Sequence, residues 1–259
     1  MMLNLYQVDA FATRPFEGNP AAVVPLEAWL PDAVMQSIAA ENNLAETAFF
    51  VPEGEGFRIR WFTPTVEVRL CGHATLASAY VLFQVLEWAA DEILFESLSG
   101  PLRVTREESG LTLDFPAQPG GACEPPDSLS TALGVNPEAV LAAEDYLVFL
   151  DSQDQVAALV PDMALLSQLD LRGVAVAAPG RCHDFVVRFF APGCGIPEDP
   201  VTGSAYTQLA PYWGEKLGKS RLRARQISPR GGEVTCELKG DRVRISGSAV
   251  LFLEGRIYL

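Results

Sequence analysis

The segment IRWFTP at residues 59–64 recurs as VRFFAP at residues 187–192. Each copy is an apolar, strand-like run that is closed by a proline. A glutamate follows each copy, Glu67 in the first and Glu198 in the second. This recurrence is the first sign that the chain contains a duplicated unit.

The similarity between the two copies continues into the segments that follow. Gly72 and Gly203 each lie five residues after the corresponding glutamate. A stretch with few charged residues comes next in each copy, over about 74–88 and 205–217. A helix that is buried on all sides has this composition, so we expect a buried helix directly after each glycine.

A predicted hairpin follows each buried helix. The first begins at Gly100, turns over residues 107–110 and returns as LTLDF, and the second begins at Gly232, turns over residues 239–241 and returns as RVRIS. The period is about half the chain, which far exceeds the periods of solenoid repeats. The order of strand, glycine turn, helix and hairpin therefore predicts two similar halves.

The remaining elements predicted from periodicity and turn residues complete the two halves. Further strands are expected over residues 3–10, 47–51, 57–62, 94–96, 146–150 and 173–178, and further helices over residues 31–41, 137–143 and 161–168. We predict an α+β fold in which each half is a curved, mostly antiparallel sheet around a central helix. The segment 118–127, rich in proline and glycine, divides the chain into halves 1–117 and 118–259, and the last strand is a candidate to pack on the N-terminal half.

Composition and charge narrow the classes of function. Apolar residues make up 49% and charged residues 20% of the 259 residues, which is a globular balance. The formal net charge of −14 disfavours nucleic acid and anionic membranes as partners, since clustered Lys and Arg recognise both. The first ten residues lack the basic region of a signal peptide, and five scattered cysteines without CxxC spacing indicate neither a disulfide framework nor a zinc site. We therefore expect a protein of the reducing cytoplasm without a membrane span.

The starts of the two buried helices are the first candidate site. The first turn of a helix exposes unpaired backbone N–H groups and the positive end of the helix dipole, which together bind carboxylates or phosphates. Gly72 and His73 lie at the first start, and Asp199, Gly203 and Ser204 lie at the second. We expect the two starts to face each other where the halves meet and to bind a small anionic metabolite.

Two further clusters add polar groups. Glu46 lies in the segment NNLAET at residues 42–47, and Asn19 lies in the turn FEGNP at residues 16–20. A carboxylate that is shielded from water has a raised pKa and can move a proton near neutral pH. A histidine such as His73 can relay or donate a proton in the same range.

Each of these residues also has a structural interpretation. Glu46 suits the surface or a helix cap, and His73 suits a core or cap position. Asp199, which precedes a proline, can start a turn, Ser204 can cap a helix, and Cys71 can be an inert buried thiol. No single residue therefore decides the function.

The motifs taken together resemble those of the phenazine-biosynthesis PhzF-like family. FEGNPAAV (16–23), NLAETAFF (43–50), IRWFTP with CGHAT (59–75) and GIPEDPVTGSA (195–205) occur in the order seen in that family and span essentially the whole chain. The resemblance implies a fold of the diaminopimelate-epimerase type, with two pseudo-symmetric halves that each enclose a central helix.

The resemblance also implies a homodimeric isomerase that acts on small cyclic or amino-acid-like carboxylates without a metal or an organic cofactor. By motif position, Glu46 is the general base and acid, and His73 and Asp199 complete the catalytic set. The implied substrate-binding residues are Asn19, Gly72, Gly203 and Ser204. The reaction typical of the family is the isomerisation of trans-2,3-dihydro-3-hydroxyanthranilate, a proton shift within a ring.

Two departures from the family pattern and two alternative functions stay open. Relatives commonly carry an acidic residue at the position of Arg69 and a histidine at that of Tyr206, which puts the substrate in doubt.

Cys71 matches one thiol of the two-thiol racemases and Asp199 lies at the opposite helix start, so a mixed Cys71/Asp199 racemase or epimerase is one alternative. A non-catalytic metabolite-binding protein of the same fold is the other.

Overall fold

The computed structural model describes residues 1–107 and 110–259, which form 18 strands and six α-helices. The strands are β1 (Met2–Ala10), β2 (Asn19–Pro25), β3 (Glu46–Glu53), β4 (Gly56–Phe62), β5 (Glu67–Val68), β6 (Glu92–Ser97), β7 (Gly100–Glu107), β8 (Gly110–Pro116), β9 (Gly121–Ala122), β10 (Ala139–Ala142), β11 (Tyr146–Phe149), β12 (Val174–Pro179), β13 (Phe185–Ala191), β14 (Ile196–Asp199), β15 (Arg221–Gln226), β16 (Gly232–Lys239), β17 (Arg242–Gly247) and β18 (Ala249–Tyr258). The helices are α1 (Asp32–Asn42), α2 (Gly72–Tyr80), α3 (Asp127–Leu133), α4 (Gln153–Ala157), α5 (Met163–Leu166) and α6 (Ala205–Leu217).

The first of two compact units consists of Met1–Asp114 and Ser246–Leu259. In its sheet, β1 pairs with β2 and β3 with β4 in antiparallel fashion, whereas β2 with β3 and β4 with β6 are parallel. β6, β7 and β8 follow as antiparallel neighbours. The C-terminal strand β18 lies antiparallel to β1 along its whole length. The last strand therefore lies in the unit that the N-terminal residues form.

The second unit, Phe115–Ile245, repeats this pattern of strand pairing. The antiparallel pairs are β10 with β11, β12 with β13 and β15 with β16, and the parallel pairs are β11 with β12 and β13 with β15. The short β14 pairs with β13 as β5 pairs with β4. The predicted α+β fold with duplicated, mostly antiparallel halves is therefore confirmed.

Each unit contains a helix that is apolar or buried on nearly every side. In α2, all residues from His73 to Ala79 are buried, and the chain continues into a π-helical segment, Val81–Val85. Thr75 and Ser78 tolerate this burial because their hydroxyls donate to backbone carbonyls one turn earlier, at 2.6 and 2.8 Å. Among the described residues, no helix has both the length and the apolar character needed to cross a bilayer.

Pro211 lies inside α6 and lacks the N–H that would bond the carbonyl of Thr207 one turn earlier. That carbonyl accepts instead from the backbone N–H of Gln118 at 3.0 Å. The Thr207 hydroxyl also lies 3.2 Å from Oε1 of Gln118. The start of the predicted linker is therefore bound to the central helix of the second unit.

The glutamate that follows each repeated strand pairs with an arginine inside that strand. Arg60 binds Glu67 through two hydrogen bonds of 2.7 Å, and Arg188 binds Glu198 through hydrogen bonds of 2.7 and 2.8 Å. Each guanidinium also lies over the phenylalanine two residues further along its strand, 5.1 and 4.9 Å from the ring centroid. These two-point pairs hold the segment that leads into each central helix.

One predicted element is wrong, and one lies partly outside the structure. The helix expected over residues 137–143 is strand β10. Alanine and leucine favour a helix, but β10 pairs with β11 on one side and β9 on the other, and this pairing satisfies its backbone groups and overrides the preference. The turn predicted over residues 107–110 includes residues 108 and 109, which lie outside the described residues.

Candidate active site

Three segments of the first unit bring Asn19, Glu46 and His73 together. Asn19 and Glu46 are the first residues of β2 and β3. Because these strands are parallel neighbours, both residues lie at the same end of the two strands. His73 lies in the first turn of α2, which contacts β1, β2 and β3. The fold of the first unit thus places an amide, a carboxylate and an imidazole next to one another.

The imidazole of His73 lies at the centre of this group. Its Nε2 is 3.2 Å from Oε2 of Glu46, and its Nδ1 is 3.2 Å from Nδ2 of Asn19. The Sγ atom of Cys71 lies 3.5 Å from the same Nδ1. Only 7% of the His73 side chain and 12% of the Glu46 side chain are exposed. The group is therefore shielded from bulk water, while Glu46 keeps a small accessible area.

Burial sets the protonation state of His73. Desolvation lowers the pKa of His73 from 6.5 to about 3, so the imidazole is neutral near pH 7. Nδ2 of Asn19 can only donate, which makes Nδ1 of His73 the acceptor and assigns the ring proton to Nε2. That N–H faces the Glu46 carboxylate, although the contact lies off the axis of an ideal hydrogen bond. Glu46 therefore has a neutral donor beside it rather than a histidinium.

Glu46, Cys71 and His73 also offer the donor types that zinc accepts, with one donor atom of each within 4.8 Å of the others. However, Glu46 faces Nε2 of the imidazole, whereas Cys71 faces Nδ1. The lone pairs of the two ring nitrogens point away from each other. An ion bound at Nε2 therefore lies on the side of the ring away from Cys71, and an ion bound at Nδ1 lies on the side away from Glu46. The arrangement favours hydrogen bonding around the ring over one shared ion.

The turn that ends at Asn19 is held by a residue that the sequence analysis did not single out. The buried carboxylate of Asp9 accepts a hydrogen bond of 2.9 Å from the backbone N–H of Phe16. Gly18 has a φ of +66°, and a Cβ there would lie 2.1 Å from the carbonyl oxygen of Ala10. Only glycine fits this position, so the turn places Asn19 in a defined direction.

We expect Gly18→Ala to lower the free energy of unfolding by about 1–3 kcal/mol, because both the backbone conformation and the obstructing carbonyl oppose a side chain. Urea denaturation measures this loss. Gly54→Ala is the matched control, since Gly54 has a φ of +61° in the same unit but no heavy atom within 4 Å of its added Cβ. A loss for Gly18→Ala no larger than that for Gly54→Ala contradicts the steric argument.

In the second unit, Asp199 is the last residue of β14, and Thr202, Gly203 and Ser204 lie between β14 and α6. The hydroxyl of Thr202 donates to Oδ2 of Asp199 at 2.5 Å, and both residues are buried. Ser204 is the N-cap of α6, but among the described residues its side chain makes no capping hydrogen bond. The Ser204 hydroxyl therefore does not serve the helix end.

The two positions that depart from the family pattern lie in different environments. Arg69 is exposed, and its guanidinium makes one long contact of 3.5 Å with the carbonyl oxygen of Leu98. Tyr206 is fully buried in α6, and its burial raises the pKa of its hydroxyl well above 10. Arg69 is thus available to solutes, whereas Tyr206 belongs to the core of its unit.

Comparisons with known proteins agree with the motifs. The family model of phenazine biosynthesis-like proteins matches residues 8–255. An uncharacterized isomerase of Pseudomonas aeruginosa is 55% identical over 260 aligned positions, which cover 100% of both chains. The crystal structure of a phenazine biosynthesis protein of the PhzF family from Enterococcus faecalis has a TM-score of 0.97 and 49% identity, again with 100% of both chains covered.

A more distant similarity extends to an epimerase. The crystal structure of a hydroxyproline epimerase from Agrobacterium vitis, with bound trans-4-hydroxy-L-proline, has a TM-score of 0.65 at 10% identity. The match covers 99% of this chain and 92% of the epimerase. At this identity the likeness shows the fold alone, and it confirms the predicted diaminopimelate-epimerase-like architecture.

Proposed function

Since this chain belongs to the family of phenazine biosynthesis-like proteins, we propose that it is an isomerase that shifts a proton within a small carboxylate metabolite, of the trans-2,3-dihydro-3-hydroxyanthranilate type, without a cofactor. The observation that carries the proposal is the 3.2 Å contact between Oε2 of Glu46 and the neutral imidazole of His73 in a site shielded from water. A carboxylate in such a site is suited to proton transfer at carbon.

Glu46 is the proposed general base and then the general acid. Its carboxylate takes a proton from one carbon of the substrate, and the resulting carboxylic acid returns a proton to another carbon, so atoms and charges balance without an oxidant or a reductant. The Nε2–H group of His73 supports the charged carboxylate before the first transfer and after the second. Asn19 keeps the ring in this orientation by donating to Nδ1.

The proposed anchor for the substrate carboxylate is the first turn of α2, which begins at Gly72. We propose from the family motif that Asp199, Gly203 and Ser204 also serve the reaction. The 2.5 Å hydrogen bond from Thr202 supports this role for Asp199, because it holds the carboxylate in one orientation.

Incubation of the wild-type protein with trans-2,3-dihydro-3-hydroxyanthranilate in D₂O, followed by NMR, tests the proposal. Isomerised product that carries deuterium supports it. Absence of turnover, under conditions in which an authentic phenazine enzyme of the family converts the compound, discards this substrate. Absence of proton exchange across a panel of small cyclic and amino-acid carboxylates would overturn the isomerase assignment itself.

Cys71 supports a second candidate function, an amino-acid racemase or epimerase that uses Cys71 and Asp199. Cys71 is the N-cap residue of α2, where the positive end of the helix dipole favours a thiolate, and its Sγ lies 3.5 Å from Nδ1 of His73. Deuterium that enters the α-carbon of an amino acid, and no longer does so in Cys71→Ser, supports this function. If the protein binds a ligand without any deuterium exchange, and Glu46→Gln binds it with the same affinity, the protein is instead a metabolite-binding protein.

We further propose that the protein acts as a homodimer in the cytoplasm on a small anionic metabolite. Membership of a generally homodimeric family supports the dimer, and the backbone N–H groups at the start of α2 support an anionic ligand. Light scattering coupled to gel filtration tests the oligomeric state. A mass equal to that of one chain at micromolar concentration contradicts the dimer.

A further inference from the structure

The turn that links β14 to α6 follows Asp199, the last residue of β14, and it leads directly into the central helix of the second unit. Asp199, Val201 and Thr202 are all buried. A turn without regular pairing needs other groups to fix its backbone. The residue that supplies them is Gln226, which lies at the end of β15 and has no exposed surface.

The side-chain amide of Gln226 binds both ends of this turn. Its Nε2 donates to the backbone carbonyl of Asp199 at 2.6 Å, and its Oε1 accepts from the backbone N–H of Thr202 at 2.9 Å. Because a carbonyl only accepts and an N–H only donates, the orientation of the amide is fixed. A glutamine is thus the side chain that satisfies both groups at this distance.

The amide acts on the Asp199 carboxylate through Thr202. The Thr202 hydroxyl, which donates to Oδ2 of Asp199 at 2.5 Å, also lies 3.4 Å from Nε2 of Gln226. We infer that Gln226 is a positioning residue that fixes the direction of the Asp199 carboxylate by holding the turn between Asp199 and Thr202. This inference rests on the proposed role of Asp199 in the reaction.

The backbone around Gln226 is itself well anchored. Gln226 lies opposite Val187 in the parallel pairing with β13 and opposite Gly232 in the antiparallel pairing with β16. Two residues later, the hydroxyl of Ser228 donates to the carbonyl of Pro200 at 2.8 Å. The end of β15 and the residues just after it therefore bond the turn at three backbone positions, 199, 200 and 202.

Gln226→Met tests the inference, because methionine has a similar length and forms neither hydrogen bond. Gln208→Met is the matched control, since Gln208 is also fully buried in the second unit but binds Asp145 at both ends of its amide. The first readout is amide hydrogen exchange of Thr202 in the intact protein, which needs no substrate. We expect exchange at Thr202 to accelerate about tenfold in Gln226→Met and to stay at the wild-type rate in Gln208→Met.

The second readout is turnover of trans-2,3-dihydro-3-hydroxyanthranilate. In Gln226→Met we expect kcat to fall by about 10–100-fold with KM within about threefold, because a misdirected carboxylate affects the chemical step more than binding. In Gln208→Met we expect kcat within about threefold of wild type. In Gln226→Glu, kcat relative to wild type is expected to rise as the pH falls, since only the protonated carboxyl can donate to the Asp199 carbonyl.

The two readouts separate failure of the inference from failure of the proposed function. If the wild type converts no substrate, the proposed function fails, and hydrogen exchange still tests the positioning role. Unchanged exchange at Thr202 in Gln226→Met, or equal acceleration in Gln208→Met, overturns the inference. Gln226→Leu, which also forms neither hydrogen bond, supplies the same comparison should Gln226→Met not fold.

Discussion

We expect Glu46→Gln to lower kcat by about a thousandfold with little change in KM, because glutamine keeps the shape of the side chain but cannot accept a proton from carbon. The Oε1 atom of glutamine can still face the Nε2–H group of His73, so the structure of the group is expected to persist. Turnover of trans-2,3-dihydro-3-hydroxyanthranilate, measured together with deuterium incorporation in D₂O, reports both the rate and the loss of exchange.

Glu53→Gln is the matched control for this substitution. Glu53 is the last residue of the same strand, β3, lies on the surface and pairs with Arg58. Removing its charge changes the net charge by the same amount without touching the His73 group, so kcat should stay within about threefold of wild type. A Glu46→Gln variant that keeps more than about a tenth of the wild-type kcat is incompatible with Glu46 as the base.

The duplicated fold was predictable because the chain contains the same pattern twice. The recurring strand, glutamate, glycine and apolar helix predicted two similar units, and the structure adds the reason for the glutamates. Glu67 and Glu198 recur because each forms a two-point pair with an arginine of the preceding strand. A sequence pattern indicates such a pair only after the register of the strands is known.

The supporting residues of the candidate site were not predictable in the same way. Asp9 holds the Asn19 turn from the end of β1, and Gln226 holds the Asp199 turn from 27 positions away. Both lie inside ordinary strands and form contacts that depend on the final packing. The motifs identified Asn19, Glu46 and His73, and the structure brings these three together, while the substrate-binding role of Asn19 and the catalytic roles of Glu46 and His73 stay predictions.

The segment 137–143 illustrates the same limit for secondary structure. Its residues favour a helix, yet β10 forms because strands on both sides complete its hydrogen bonds. The central helix 205–217 was predicted at its observed bounds from its low content of charged residues, and in the structure Gly218, with a φ of +64°, ends the helix. Local sequence thus predicts an element whose own composition determines its structure, and it fails for a strand that forms only through pairing with its neighbours.

Acidification is expected to destabilise the protein through His73. An unfolded histidine has a pKa of 6.5, whereas desolvation lowers the pKa of folded His73 to about 3. Between these values only the unfolded chain binds the proton, so the free energy of unfolding falls by up to about 1.4 kcal/mol for each unit by which the pH decreases. Above pH 6.5 both states are neutral at this residue, and its contribution no longer varies with pH.

Urea denaturation at about pH 7.5 and about pH 5 measures this dependence, and His73→Gln should flatten it. His183→Gln is the control, because it removes the other histidine, which lies 3.0 Å from Glu233, and leaves His73 in place. Measuring the effect of His73→Gln a second time in the Glu46→Gln variant removes any contribution from titration of the neighbouring carboxylate. If wild type and His73→Gln lose stability in parallel over this range, His73 is protonated in the folded protein, and Glu46 then faces a cation instead of the neutral donor on which the proposed proton transfer depends.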